Sequence, residues 1–232
     1  IGSFLGVLVM RLPAGRPVIW ARSRCPRCGH TLTAVELVPL VSWLAAGRRC
    51  RHCQAPIPFF YAAMELGALG LAAWAALVLP ADQLGASCAL GWCLLALAVI
   101  DARHFLLPDV LTLPLIPAGL VLSALDDPAM LLPHAIGAGA GFAVFVLIGA
   151  LYRRLRHRDG IGLGDAKLLA AAGAWISWEG LPSAVLLACL ASGAWLLLDS
   201  GKRQRITLDA RIPLGPGLCL GTWLVWLYGP LF

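Results

Sequence analysis

Seven long runs of this chain are almost free of charge: 59–79, 84–100, 110–125, 135–151, 168–178, 181–198 and 212–232. In hydrocarbon every backbone amide must be bonded within the protein, so such runs in succession restrict the chain to α-helices that cross a bilayer. A soluble core is excluded on composition. Hydrophobic residues make up 60% of the 232 positions and charged residues 13%, with a mean hydropathy of +0.83, whereas soluble domains hold about a quarter charged residues. The chain opens on ten apolar residues, 1–10. Crossing the hydrocarbon takes about 20, so 1–10 reads as the remainder of a first membrane helix. The expected fold is all-α and polytopic, with about eight transmembrane helices. Run 168–178 is short and is expected to be tilted or partly re-entrant.

The charges orient this bundle. All eighteen Lys and Arg residues fall in four groups: 11–51, Arg103, 153–167 and 202–211. Alternating the segments puts the four groups on one side. The opposite loops carry Asp82, Asp126, Asp127 and Glu179 and no basic residue. The positive-inside rule makes the basic side cytoplasmic. The net charge of +6 is therefore a topological bias and not a nucleic-acid surface.

One long polar stretch remains, 11–58, read as a small cytoplasmic loop domain between 1–10 and a helical bundle over 59–232. A domain so small needs a staple. CPRC at Cys25–Cys28 and CRHC at Cys50–Cys53 give the spacing C-x2-C-x21-C-x2-C. Each C-x2-C turn sets two sulfurs on one side of a metal, and two turns complete a closed tetrahedral zinc site of structural type. A cytoplasmic loop disfavours disulfides, and the flanking arginines favour thiolates. His30 and His52 flank the site without being needed as ligands. Cys88, Cys93, Cys189 and Cys219 lie in apolar runs and read as small packing residues.

Glycines at 137, 139 and 141 sit inside an apolar run. They read as sites of close helix packing; a phosphate-binding fingerprint needs a preceding strand. Acids at a membrane surface are costly and default to function. Asp109 follows Pro108 and precedes an apolar run, which is the pattern of a helix N-cap. Asp165 opens another run within GIGLGDAKLL, residues 160–169, where Gly162 and Gly164 exceed what a cap needs; they would let another chain approach closely. Asp101 sits at the C-terminal end of its helix, where the macrodipole opposes an acid. Two acids at one depth suggest an aspartyl dyad, which shares a proton, activates a water and polarises a carbonyl. Lys167 has two readings, snorkelling to the interface or orienting Asp165, and the first is slightly preferred.

These blocks, GSFLGVLVMRLP, CPRCGH, PLVSWL, CRHCQAPI, IDARHFLLPDVLTLPL, GIGLGDAKLLAAAGAW and IPLGP, occur in an order that resembles the bacterial type IV prepilin peptidases, also called leader peptidase/N-methyltransferases. The resemblance covers nearly the whole chain. It implies that Asp101 and Asp165 are the catalytic aspartates and gives Asp109 a supporting role. It implies removal of the basic leader of prepilins or pseudopilins after a glycine, at the cytoplasmic face of the inner membrane. N-methylation of the new terminus, with S-adenosylmethionine as donor, would follow. The cysteines match the family's zinc-type loop. Beside Tyr61, where the family commonly has Arg and Pro, this chain has Phe60 and Ala62, and Glu36 stands where Asp is common. Without the resemblance, the competing readings are a proton-coupled transporter and a non-catalytic zinc-containing subunit of a secretion or pilus assembly machine.

Overall fold

The structure, a computed structural model, describes residues 2–18, 25, 27–31, 33, 49–156, 162–200 and 213–232. Glu36, the block at 39–44 and the basic group at 202–211 lie outside the described residues. Among the described residues seven α-helices follow in order: α1 (Gly2–Arg11), α2 (Phe59–Val78), α3 (Leu84–His104), α4 (Asp109–Asp126), α5 (Leu131–Arg156), α6 (Leu163–Ser200) and α7 (Gly215–Tyr228). A 3-10 turn, Pro128–Met130, leads into α5. Among the described residues there is no strand; one isolated bridge pairs Arg49 with Pro56. The all-α expectation holds.

Among the described residues, five helices are long and apolar enough to cross a membrane: Phe59–Val78, Leu84–His104, Asp109–Asp126, Pro128–Arg156 and Leu163–Leu198. The expected count of eight is not reached by that measure, for three reasons. Helix α1 has 10 residues and α7 has 14. The expected runs 168–178 and 181–198 are joined in α6.

The chain divides into two compact units, Ile1–Ala96 and Leu97–Phe232, with α3 passing from the first into the second. In the first unit α1 runs antiparallel to α2. A methyl group added at Gly2 would lie 2.5 Å from the Glu65 Cα, and one at Gly6 2.8 Å from the Tyr61 ring. Glycine at both positions is what lets the helices approach. The Ser3 hydroxyl donates to Glu65, a carboxylate buried in this contact. The Trp92 Nε1–H of α3 donates to the Ala68 carbonyl at 3.0 Å.

The second unit is built around the first limb of α6. Residues 168–175, Leu-Leu-Ala-Ala-Ala-Gly-Ala-Trp, are all buried. Their small side chains let backbones come together, which is how helices associate where no hydrophobic effect separates protein from lipid. A methyl at Gly137 or Gly141 of α5 would lie 2.6 Å from the carbonyl oxygen of Gly173 or Leu169, respectively. These pairings run in opposite directions, so α5 and this limb are antiparallel. Gly119 of α4 meets the Ala174 carbonyl in the same way, and the Trp175 Nε1–H donates to the Leu115 carbonyl at 2.8 Å.

Helix α6 reverses at Ser177, whose φ of 57° and ψ of 179° break the helix. The break is required by α7. A methyl at Gly217 would lie 2.7 Å from the Ala188 carbonyl oxygen, while Gly215, two residues earlier, bonds Asp101 at the end that also holds Asp165. In a straight helix Ala188 would lie about 34 Å beyond Asp165 at 1.5 Å per residue. The second limb must therefore return toward Asp165. Ser177 caps it: its Oγ accepts from the Glu179 N–H at 3.3 Å, satisfying a donor that the break leaves unpaired. The reversal falls two residues before the gap at 179–180 between the two apolar runs of the sequence.

Candidate active site and metal centre

The same alternation of helix directions brings three helix ends together in the second unit. Asp101 lies in the last turn of α3, Asp165 in the first turn of α6, and Gly215 at the start of α7. Asp101 and Asp165 are 64 positions apart in the sequence and border one cavity of about 270 Å³. Asp101 is 6% exposed and accepts a hydrogen bond from the Gly215 N–H at 3.0 Å. The Gly162 N–H points back to the Asp165 carboxyl, the reciprocal half of a capping box with Gly162 before the first turn. Asp165 thus does cap its helix, as the bland reading of the sequence holds, and still faces the cavity.

Both glycines of this turn border the cavity. A methyl at Gly162 would stand 3.5 Å from the Asp165 Oδ2, ordinary contact, and Gly162 borders the cavity. One at Gly164 would stand 3.1 Å from the Leu107 Cβ. Gly164 therefore admits the α3–α4 connection, and it borders the cavity as Gly162 does.

Asp109 and Lys167 meet each other at the same edge. Asp109 is the first residue of α4; Pro108 holds the cap position and no side chain caps the turn. The Asp109 carboxylate instead accepts from the Lys167 Nζ at 2.7 and 2.8 Å. Lys167 bonds Asp109 and ties the start of α4 to the start of α6 at the cavity's edge. This partner, 58 positions away, has no local sequence signal. Nor does the Asp101–Gly215 contact, though the IPLGP block marks its region.

The second cluster lies in the first unit. The sulfurs of Cys25, Cys28, Cys50 and Cys53 all fall within 4.8 Å of one another, and those of Cys25 and Cys53 are 3.7 Å apart. A tetrahedron with Zn–S bonds of about 2.3 Å has edges of roughly 3.8 Å. The two turns are built alike. The Gly29 N–H donates to the Cys25 carbonyl and the Gln54 N–H to the Cys50 carbonyl, each at 2.9 Å. Each turn then closes through a residue of positive φ, Gly29 at 70° and Gln54 at 56°. The Cys28 and Arg27 N–H groups hold the Cys25 thiol down at about 6. The Ala55 N–H acts the same way on Cys53, but burial and the neighbouring sulfurs push that thiol up to about 11. Four adjacent thiolates repel one another, so full ionisation of the cluster calls for a central cation. The His30 and His52 rings stack with centroids 3.5 Å apart beside it, contributing no ligand to the four-sulfur set. Of the remaining cysteines, Cys219 is buried as a packing residue, Cys88 and Cys93 are half-buried, and Cys189 is exposed.

Fold and site together define a class: a multi-pass helical membrane protein with paired aspartates at the joined ends of its helices and a four-cysteine cluster able to hold a metal ion. Residues 88–197 match the type IV leader peptidase family, and residues 1–79 match the bacterial peptidase A24 N-terminal domain. Among curated relatives, the prepilin leader peptidase/N-methyltransferase of Burkholderia pseudomallei (strain 1026b) is 40% identical across 100% of this chain and 83% of its own length. Its namesake from Aeromonas hydrophila is 38% identical over 99% of this chain and 87% of its own. That of Pseudomonas aeruginosa is 36% identical with the same coverage, 99% and 87%. No solved structure matches. The chain belongs to the type IV leader peptidase family.

Proposed function

We propose that this chain is an intramembrane aspartyl endopeptidase that removes the leader peptide of type IV prepilins or pseudopilins. The observation that carries the reading is the shared cavity of Asp101 and Asp165. A water held between the carboxyls would lose a proton to the ionised one as it attacks the scissile carbonyl. The protonated one would donate to the carbonyl oxygen. Collapse of the tetrahedral intermediate breaks the C–N bond, and the leaving amine takes up a proton from the pair. Asp109 and Lys167 would hold the starts of α4 and α6 in register around this water, and Gly162 would leave the cavity open beside Asp165. The transporter and assembly-subunit readings have no feature in their favour within a peptidase family.

The cavity belongs to the end of the second unit that carries Arg103, Arg153, Arg154, Arg156 and Lys167, and Asp126, Asp127 and Glu179 lie at the other. This supports a site facing the cytoplasm, in a bundle proposed to make eight passes through the bacterial inner membrane. Residues 11–58 would form the cytoplasmic loop domain, closed by zinc on Cys25, Cys28, Cys50 and Cys53; the sulfur spacing fits that ion. Its part is structural, apart from the aspartates' chemistry. N-methylation of the new terminus, with S-adenosylmethionine as donor, is proposed as a second activity on the strength of the relatives' names. Whether pili, type II secretion or DNA uptake receives the product is decided by the substrate.

The test is cleavage of a purified prepilin by the full chain in nanodiscs. Asp101→Asn and Asp165→Asn should each abolish leader release while the protein remains folded. Near-normal cleavage by Asp101→Asn would refute the assignment.

A further inference from the structure

The geometry points to Gly215 as the positioning residue of Asp101: its N–H fixes the carboxyl, and its missing side chain leaves the space the carboxyl fills. The inference rests on the reading of Asp101 as one of the catalytic pair and adds a residue that the local sequence around the aspartates does not reveal.

The contact is a matched one. Asp101 is 6% exposed, and a buried carboxyl needs partners for its oxygens; Gly215 N–H supplies one at 3.0 Å. Gly215 is the first residue of α7, whose opening N–H groups have no partner within the helix. Pro216 follows and has no N–H, so Gly215 provides the first donor of that turn. A methyl at Gly215 would fall 2.6 Å from the Asp101 Oδ2, 2.8 Å from its Cγ and 3.1 Å from its Cβ. Ordinary contact begins at 3.4 Å, so the carboxyl oxygen would have to move by about 0.8 Å. The three atoms nearest that methyl belong to the Asp101 side chain and none to backbone. The strain would therefore fall on the Asp101 side chain, turning its carboxyl while its Cβ, at 3.1 Å, gives by a few tenths of an ångström. Gly215 does not border the cavity, whereas Asp101 does. It stands behind Asp101 and does not meet whatever enters from the front.

Gly217 is the matched control. A methyl there would meet the Ala188 carbonyl oxygen at 2.7 Å and the Ser192 Oγ at 2.8 Å, pushing α7 off the second limb of α6 without touching Asp101.

The full chain in nanodiscs is assayed on a purified prepilin. If the wild type does not cleave, or Asp101→Asn still does, the proposed function fails and this inference with it. Given a cleaving wild type and a dead Asp101→Asn, Gly215→Ala should lower kcat by about 100-fold, the scale expected for a misplacement of order 1 Å. Its KM and unfolding midpoint should stay near those of the wild type. Gly217→Ala should show the reverse, a lower midpoint with kcat of the folded enzyme nearly kept. Wild-type kcat in Gly215→Ala, or equal kcat losses in both variants, overturns the inference. Should Gly215→Ala not fold, amide exchange decides. Asp101→Ala should speed exchange at Gly215 by about tenfold relative to wild type while Gly221 is unchanged, because a freed first-turn amide opens readily. Unchanged exchange at Gly215 overturns it too.

Discussion

Helix α5 carries its own control experiment. Gly137 and Gly141 are buried against α6 and Gly139, between them, is exposed. An alanine methyl at 141 would sit 2.6 Å from the Leu169 carbonyl oxygen and 2.9 Å from its carbon, whereas one at 139 meets nothing within 4 Å. Both substitutions gain the same helix-forming preference, about 0.8–1 kcal/mol, so that contribution cancels in a comparison. What remains is overpacking at 141. Some 0.8 Å separates the 2.6 Å approach from the 3.4 Å onset of ordinary contact, and the obstructing atoms are backbone. Forcing a methyl into such a seam costs about 1–3 kcal/mol. Gly139→Ala should thus be neutral or stabilising, and Gly141→Ala less stable than Gly139→Ala by about 1–3 kcal/mol. Denaturant unfolding of the purified protein in detergent, read at constant m, measures the difference. Equal unfolding free energies for the two variants would refute the packing account of these glycines.

The Asp109–Lys167 pair is 54% and 29% exposed, and pairs so exposed contribute about 0.2–1 kcal/mol. Asp109→Asn or Lys167→Met should therefore slow prepilin cleavage by no more than about fivefold, and a hundredfold loss would give either residue a direct part in the chemistry. Purified protein should carry about one zinc by elemental analysis, given the four-sulfur site. Cys25→Ser with Cys28→Ser should remove that zinc and raise proteolysis within 11–58, and metal-free wild type under reducing conditions would contradict the site. Reporter fusions should place Arg156 in the cytoplasm and Asp126 on the opposite side; the reverse result would overturn the charge-based orientation.

The sequence by itself determined whatever depends on neighbours along the chain. Run lengths and charge placement give the helices, because hydrocarbon forces each segment to satisfy its own backbone. The doubled C-x2-C gives the sulfur cluster, because each turn closes through local hydrogen bonds such as Gly29 to Cys25. Asp101 stood out by opposing its own helix dipole, and Asp165 by its glycines. Even the reversal at Ser177 left a trace, a gap between two apolar runs. Tertiary structure alone decided which helix ends meet and which way each face turns. That set the Asp109 carboxylate on Lys167, 58 positions away, where the sequence suggested a cap. It set Gly164 against Leu107, and brought the Gly215 amide to Asp101 across 114 positions. In an apolar helix nearly every face is oily, so periodicity does not mark the packed one. Rotation and order are set by where small residues let two backbones touch, and that depends on both helices at once.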